Sequence, residues 1–234
     1  MDIGRALGYA FEDEEWLPKL AIIVGITWVS SLLLVVLVGF VGFAALAGYT
    51  VELVRNVRDN HPRPLPRWEN YGDLISKGAN VLVAGFVYAL PNVLVGCCLW
   101  LFGASVSSQE SLIGGGLNTL LACCAVPLLI VYNLAAWPVL SLGLARYAEE
   151  GNIGVFFQFG DLFGTMQRSL NFTLQYLLYS FILNVVLGFI GAIPCIGWVA
   201  APALSLPVYG YLIAQYAELA DDKPKRKARP RMGY

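Results

Sequence analysis

The chain has 234 residues, 58% of them hydrophobic and only 13% charged, with a formal net charge of −1. A soluble globular domain carries about 25% charged residues, so an ordinary soluble domain is excluded. The charges are also clumped, leaving uncharged stretches at 20–51, 78–109, 111–145 and 169–217, each longer than the roughly 20 apolar residues a spanning helix needs.

The first residues, "MDIGRALGYAFEDEEW", lack the positive start, short apolar core and A-x-A site of a signal peptide. The first apolar run is therefore expected to stay as an anchor. Ile3, Leu7 and Phe11 share one helical face ahead of it. The run itself, Leu17 to Val54, would measure about 57 Å as one helix. That is nearly twice a hydrocarbon core of roughly 30 Å. Two shorter helices fit better, with Ser30-Ser31 and Gly39 as candidate breaks. One long tilted helix would instead give five spans in total.

A polar link follows, holding Arg55, Arg58, Arg63, Arg67, Lys77 and the single His61. Its Pro-rich part, "HPRPLPRW", reads as extended, because the residue before each Pro is pushed out of the helical region. Trp68, Tyr71, Leu74, Ile75 and Gly78 then form a second amphipathic face. The third and fourth spans are expected near 79–103 and 115–145, as a hairpin around the cation-free segment 104–116. Phe156, Phe159, Phe163, Met166 and Leu170 form a third amphipathic stripe. A fifth span near 170–191 and a sixth near 198–219 are separated by "AIPCIGW", where Pro194 interrupts the helical pattern.

By the positive-inside rule, the Arg-rich link, the region around Arg146 and Arg168, and the tail from Asp221 face the cytoplasm. The tail holds six Lys or Arg between Lys223 and Arg231. Both termini are thus expected on the cytoplasmic side of the cell membrane, with anionic lipid headgroups as partners of the tail. Other membrane proteins are further candidate partners, and no nucleic acid is expected.

The lead-in segments repeat. An aromatic residue stands two positions before an acid in Phe11-Glu12-Asp13, Tyr71-Gly72-Asp73 and Phe159-Gly160-Asp161. The returning spans also share Gly-Tyr starts, at Gly48-Tyr49 and Gly210-Tyr211. This pattern favours six spans. The expected fold is an all-α membrane bundle of about six transmembrane helices, arranged as three hairpins (about 17–58, 78–148 and 169–220) with interfacial amphipathic helices. One membrane domain covers 1–220 and a basic tail covers 221–234. Asp13, Asp73 and Asp161 are expected at bends from an in-plane helix into a spanning one. There a carboxylate can accept from free N–H groups and suits the positive helix end.

"FEDEEWLPKL", the Gly-Tyr followed by "LVRNVRD", "LPRWENYGDL" and "AIPCIGWVAAP" together resemble an uncharacterised prokaryotic membrane family, the domain of unknown function 4013. The similarity covers nearly the whole chain, and Arg67 stands where an acid is expected. The resemblance implies a multi-pass membrane protein and carries no activity or site residues with it.

Candidate chemistry is sparse. One His cannot build a zinc or haem site alone, and no phosphate loop, zinc-protease or Ser/His/Asp pattern is present. The chain is therefore expected not to be an enzyme, with no cofactor and no metal. Cys97, Cys98, Cys123 and Cys124, with Cys195, fall in the outer half, where a cross-hairpin disulfide and plain packing are the two readings. Asn92, Asn133 and Asn184 fall near mid-span in three helices, as interhelical glue or as a polar cluster lining a path. Gly39, Gly48, Gly85 and Gly188 are expected at close helix approaches. Two roles follow from different classes. The first is a non-catalytic scaffold, assembly or interaction subunit. The alternative is a passive channel or carrier for a small neutral or lipidic solute.

Overall fold

The computed structural model describes residues 3–61, 65–107 and 112–221. All regular structure among them is helical: α1 (Ile3–Gly8), α2 (Trp16–Leu33), α3 (Gly39–Arg58), α4 (Tyr71–Ser107), α5 (Leu112–Glu150), α6 (Phe159–Arg168), α7 (Leu170–Gly191) and α8 (Ile196–Ala220). Short 3₁₀ turns cover Tyr9–Glu12, Leu34–Val36 and Ile153–Phe157. The basic tail beyond Asp221, Arg63 with its flanking prolines, and residues 108–111 lie outside the described residues.

Among the described residues five helices are long and apolar enough to cross a membrane: α2, α4, α5, α7 and α8. The sixth long helix, α3, has 20 residues but carries Glu52, Arg55 and Arg58 toward its end. It is nonetheless the most enclosed, with eleven buried residues, among them Tyr49, Leu53 and Val54. Neighbours α2, α4, α5 and α8 surround it. A helix shielded by others needs little lipid-facing hydrophobicity, which explains its modest composition.

The 38-residue first run is two helices, not one. The chain reverses at Leu34–Val38, between the two candidate breaks, and Leu37 takes a left-handed conformation (φ 61°). Gly39 is required there, because a Cβ would strike the Ser30 carbonyl oxygen and the Leu34 backbone. The second close approach joins α3 to α4. A Cβ on Gly48 would meet the Leu74 carbonyl, and one on Gly78 would meet the Ala44 carbonyl and the Gly48 nitrogen. Gly85 and Gly188, by contrast, face open space. A Cβ there would touch nothing, so these two do not serve close packing.

The second hairpin departs from expectation. Residues 71–78 are not a separate in-plane helix but the opening turns of α4, which runs 37 residues, about 55 Å. Its partner α5 runs 39 residues, about 58 Å. The remaining long helices have 18 to 25 residues. Pro91 and Pro127 are absorbed without ending either helix. One turn before Pro91, the Tyr88 carbonyl accepts the Tyr132 hydroxyl of α5 (2.8 Å).

The charged side chains gather at one end of the bundle. Lys19 is buried and donates to Asp13 (2.7 Å) and to the Leu65 carbonyl (3.3 Å), tying α2 to the N-terminal segment and to the link before α4. Lys77 of α4 pairs with Glu52 of α3 and with Asp73. Arg58 of α3 pairs with Glu149 of α5 (3.0 Å), and Arg146 of α5 with Asp221 after α8 (2.9 Å). Tyr9 stacks on Tyr211 and donates to the Pro207 carbonyl, which docks the N-terminal segment on α8. Burial, with Tyr49 and Tyr211 nearby, holds the Tyr9 phenol well above its ordinary pKa.

Between these ends lies the core of α5, α7 and α8. Tyr176 and Tyr216 stack at 4.6 Å, with their hydroxyls bonded to Ser141 (2.7 Å) and Thr173 (2.9 Å). At the opposite end the "AIPCIGW" break stands as expected: α7 stops at Gly191 and α8 starts at Ile196. Trp28 of α2 donates to the Trp198 carbonyl across that end (3.3 Å).

Candidate functional site

The lead-in acids do not share one role. Asp13 lies three residues ahead of α2: its Oδ1 accepts the N–H of Glu15, the residue before the helix (3.0 Å), while Oδ2 holds Lys19. Asp73 sits in the first turn of α4 and pairs with Lys77 four residues on. Asp161 sits in the first turn of α6, eight residues before the joint at Ser169 to α7. Gly72 and Gly160 therefore start helices rather than bend between two. The amphipathic stripe around α6 divides as well. Phe156 and Met166 are buried, whereas Phe159, Phe163 and Leu170 are exposed. Of the first stripe, Phe11 is exposed and packs edge-on against Trp16, while Ala6, Tyr9 and Ala10 turn inward. The side chains of Ile3 and Leu7 lie outside the described residues.

The cysteines are free. Across the α4–α5 hairpin Asn92 stands opposite Asn133, so Cys97 stands opposite Leu128, and Cys124 is about one turn, or 5 Å, out of register with it. His61 is half-exposed in the link, its N–H bonded to the Asn56 carbonyl. Among the described residues no group of three or more His, Cys, Asp or Glu is placed to hold a metal.

The three asparagines do converge. A lateral groove of about 680 Å³ runs between α4, α5 and α7, and all three line it. Asn92 and Asn133 form a reciprocal amide pair across the hairpin (3.1 and 2.8 Å). Asn133 also donates to the Leu129 carbonyl (2.7 Å), which uses its second N–H. Asn184, on α7, donates to the Ser180 carbonyl (2.9 Å), and its Oδ1 accepts no bond among the described residues. The rest of the wall is mostly apolar, including Ala89, Leu134, Trp137 and Phe181. A groove with apolar walls and a few placed polar groups has the chemistry of a small-molecule site. It can shelter a hydrocarbon body and bond one hydroxyl, ester or amide.

Sequence reasoning found the three amides but missed Tyr88 and Trp137. Both lie one turn from an asparagine on the same wall, at the i, i+4 spacing Tyr88–Asn92 and Asn133–Trp137. It also missed the ion-pair network of Arg58, Arg146, Glu149 and Asp221, which joins residues too far apart in the chain to leave a local signal.

No curated protein and no solved structure matches the chain. A family model described as protein of unknown function (DUF4013) matches residues 31–196, the stretch from the end of α2 through α7 to the first residue of α8, with the Asn-lined groove inside it. The match covers more than half of the chain and includes two of the motifs that resembled that family, "LVRNVRD" and "LPRWENYGDL", while "FEDEEWLPKL" lies ahead of it, so the chain belongs to the DUF4013 family of proteins of unknown function.

Proposed function

We propose that this membrane protein binds a neutral amphiphilic or lipidic molecule in the groove between α4, α5 and α7, as a passive carrier or membrane-embedded binding protein rather than an enzyme. The supporting observation is the convergence of Asn92, Asn133 and Asn184 on one apolar-walled groove of about 680 Å³. Amides at mid-helix are costly in hydrocarbon unless bonded, and the free Asn184 Oδ1 offers an acceptor to a solute hydroxyl. On this reading six helices span the bilayer. The 20-residue α3 reaches about 30 Å, matching the hydrocarbon core. The Arg-rich end faces the cytoplasm.

Purified protein in proteoliposomes tests the reading with a fluorescent diacylglycerol analogue as probe. Asn184→Leu should lower its binding or flux severalfold, as loss of one hydrogen bond does. A matched probe without the hydroxyl should be unaffected. Equal behaviour of the variant and the wild type with both probes would remove the groove from consideration.

A scaffold or interaction role remains the second reading, supported by the outer arms of α4 and α5. No residue from Ala89 to Leu101 or from Thr119 to Trp137 is buried, which leaves two apolar helices open to lipid or to partner helices. Crosslinking in native membranes that captures only the monomer would count against it.

A further inference from the structure

A second pocket, of about 580 Å³, lies at the charged end, away from the groove. Its wall is built by α6, the first residues of α7, Arg146 of α5 and the end of α8. Asp161, Thr165 and Arg168 recur at i, i+4 and i+7, one stripe of α6 turned toward it. Arg146 closes the back, donating to Thr165 (2.8 Å) and to Asp221 (2.9 Å). Phe172 and Leu219 supply an apolar side.

The charge balance selects the ligand. Two cations and two anions line the pocket, and the charges of Arg146 and Asp221 are paired with each other, although Arg146 Nε and Asp221 Oδ2 have no hydrogen-bond partner among the described residues. Asp161 and Arg168 are exposed, and neither has an ion-pair partner among the described residues. They stand two turns apart on one helix, about 10 Å along the axis. That separation is too long for the usual i, i+4 pairing, yet it leaves room for a small group between them. A simple anion would meet Asp161, and a simple cation would meet Arg168. A zwitterion suits both. The depth also fits a lipid. Phe159 and Phe163 on the same helix are uncovered, while Leu162 and Met166 pack inward, so α6 lies at headgroup level with aromatic side chains facing acyl chains.

We propose that this pocket binds a phosphate–ammonium zwitterion of the phosphoethanolamine class. Arg168 bonds the phosphate beside the Thr165 and Ser169 hydroxyls, and Asp161 takes the ammonium. The source is either a membrane lipid headgroup or the free soluble compound.

The test uses the full chain. In one arm it is released from vesicles of equimolar phosphatidylethanolamine and phosphatidylglycerol, and retained lipid is counted by native mass spectrometry. In the other arm, detergent-purified protein is titrated with soluble phosphoethanolamine. Arg168→Gln and Asp161→Asn should each lower phosphatidylethanolamine retention about tenfold, the usual loss for a bond to a charged group. Asp161→Asn should leave phosphatidylglycerol retention unchanged or raised. Both side chains are exposed and have no ion-pair partner among the described residues, so both variants should melt as the wild type does. Lipid retention with these responses assigns the site to a headgroup. Soluble binding with these responses and no lipid retention assigns it to the free compound. Wild-type binding by both variants, a parallel loss of both lipids in Asp161→Asn, or no binding in either arm overturns the proposal.

Discussion

The two ends of this bundle are built on opposite principles. At the charged end, α3 is pressed against α4 through glycine, ion pairs join α3, α4, α5 and the end of α8, and Lys19 of α2 pairs with Asp13 of the N-terminal segment. At the other, α4 and α5 run on as a hairpin with no buried residue in their outer arms, held to each other by the Asn92–Asn133 pair. The contrast teaches where rigidity is placed. The packed end fixes the starting angle of the long hairpin, and the loosely held arms leave a groove beside α7. The charges also sit where water or headgroups can reach, which spares the apolar arms any charge to desolvate.

Breaking the packed end should give the largest effects. Gly78→Leu places a side chain onto the backbone of Ala44 and Gly48, where nothing flexible can yield. It should lower stability by about 3 kcal/mol or more, read from thermal unfolding in detergent. Gly85→Ala and Gly188→Ala, facing open space, should change it by less than about 0.5 kcal/mol. If Gly85→Ala proved as damaging as Gly78→Leu, the division between a tight end and loose arms would fail.

Of similar size is Lys19→Met, which strands the buried Asp13 carboxylate and should cost about 3–5 kcal/mol. Adding Asp13→Asn should recover much of that loss, since removing both charges is far cheaper than removing one. A double variant no better than the single would mean that packing, not charge, holds this corner.

The arms should respond more weakly. Asn133→Leu should cost about 1–2 kcal/mol, and adding Asn92→Leu should cost little more, because the same two reciprocal bonds are lost either way. Additive losses would show the two amides acting separately. Smallest of all, Asp73→Ala and Asp161→Ala should each change stability by no more than about 0.5 kcal/mol. Asp73 makes a half-exposed ion pair with Lys77, and Asp161 is exposed without a partner among the described residues. A loss near 1 kcal/mol at either, the size of a lost helix cap, would restore the capping role that the sequence pattern suggests.

Much of the fold is legible from hydrophobic length alone. Runs of 32 to 49 uncharged residues require spanning helices, and Pro194 marks the last reversal. The first reversal is hidden because Leu37 takes a left-handed conformation usually reserved for Gly or Asn, so no turn residue announces it. Glycines proved ambiguous in the same way. Gly48 and Gly85 look alike in sequence, but only Gly48 faces another backbone. The convergence of the three asparagines was legible because mid-span amides have few other uses. The pairing of Asp73 with Lys77 is readable as an i, i+4 spacing, yet the repeated Gly-Asp-Leu pattern draws attention to helix joints instead. The network around Asp221 depends on chain segments up to 163 residues apart (58 to 221) and leaves no local trace.

The unequal helix lengths have a mechanical meaning. A hairpin of 37- and 39-residue helices exceeds a bilayer core of roughly 30 Å, whereas α2 and α3 match it. The long arms must tilt or thicken the surrounding lipid, while the short helices have no reason to follow. Because α7 forms one wall of the groove and the arms form the other, any tilt of the hairpin changes the distance between those walls. Bilayer thickness thus acts as a lever on the groove, and vesicles of graded acyl-chain length become a way to open or narrow it without altering a single residue.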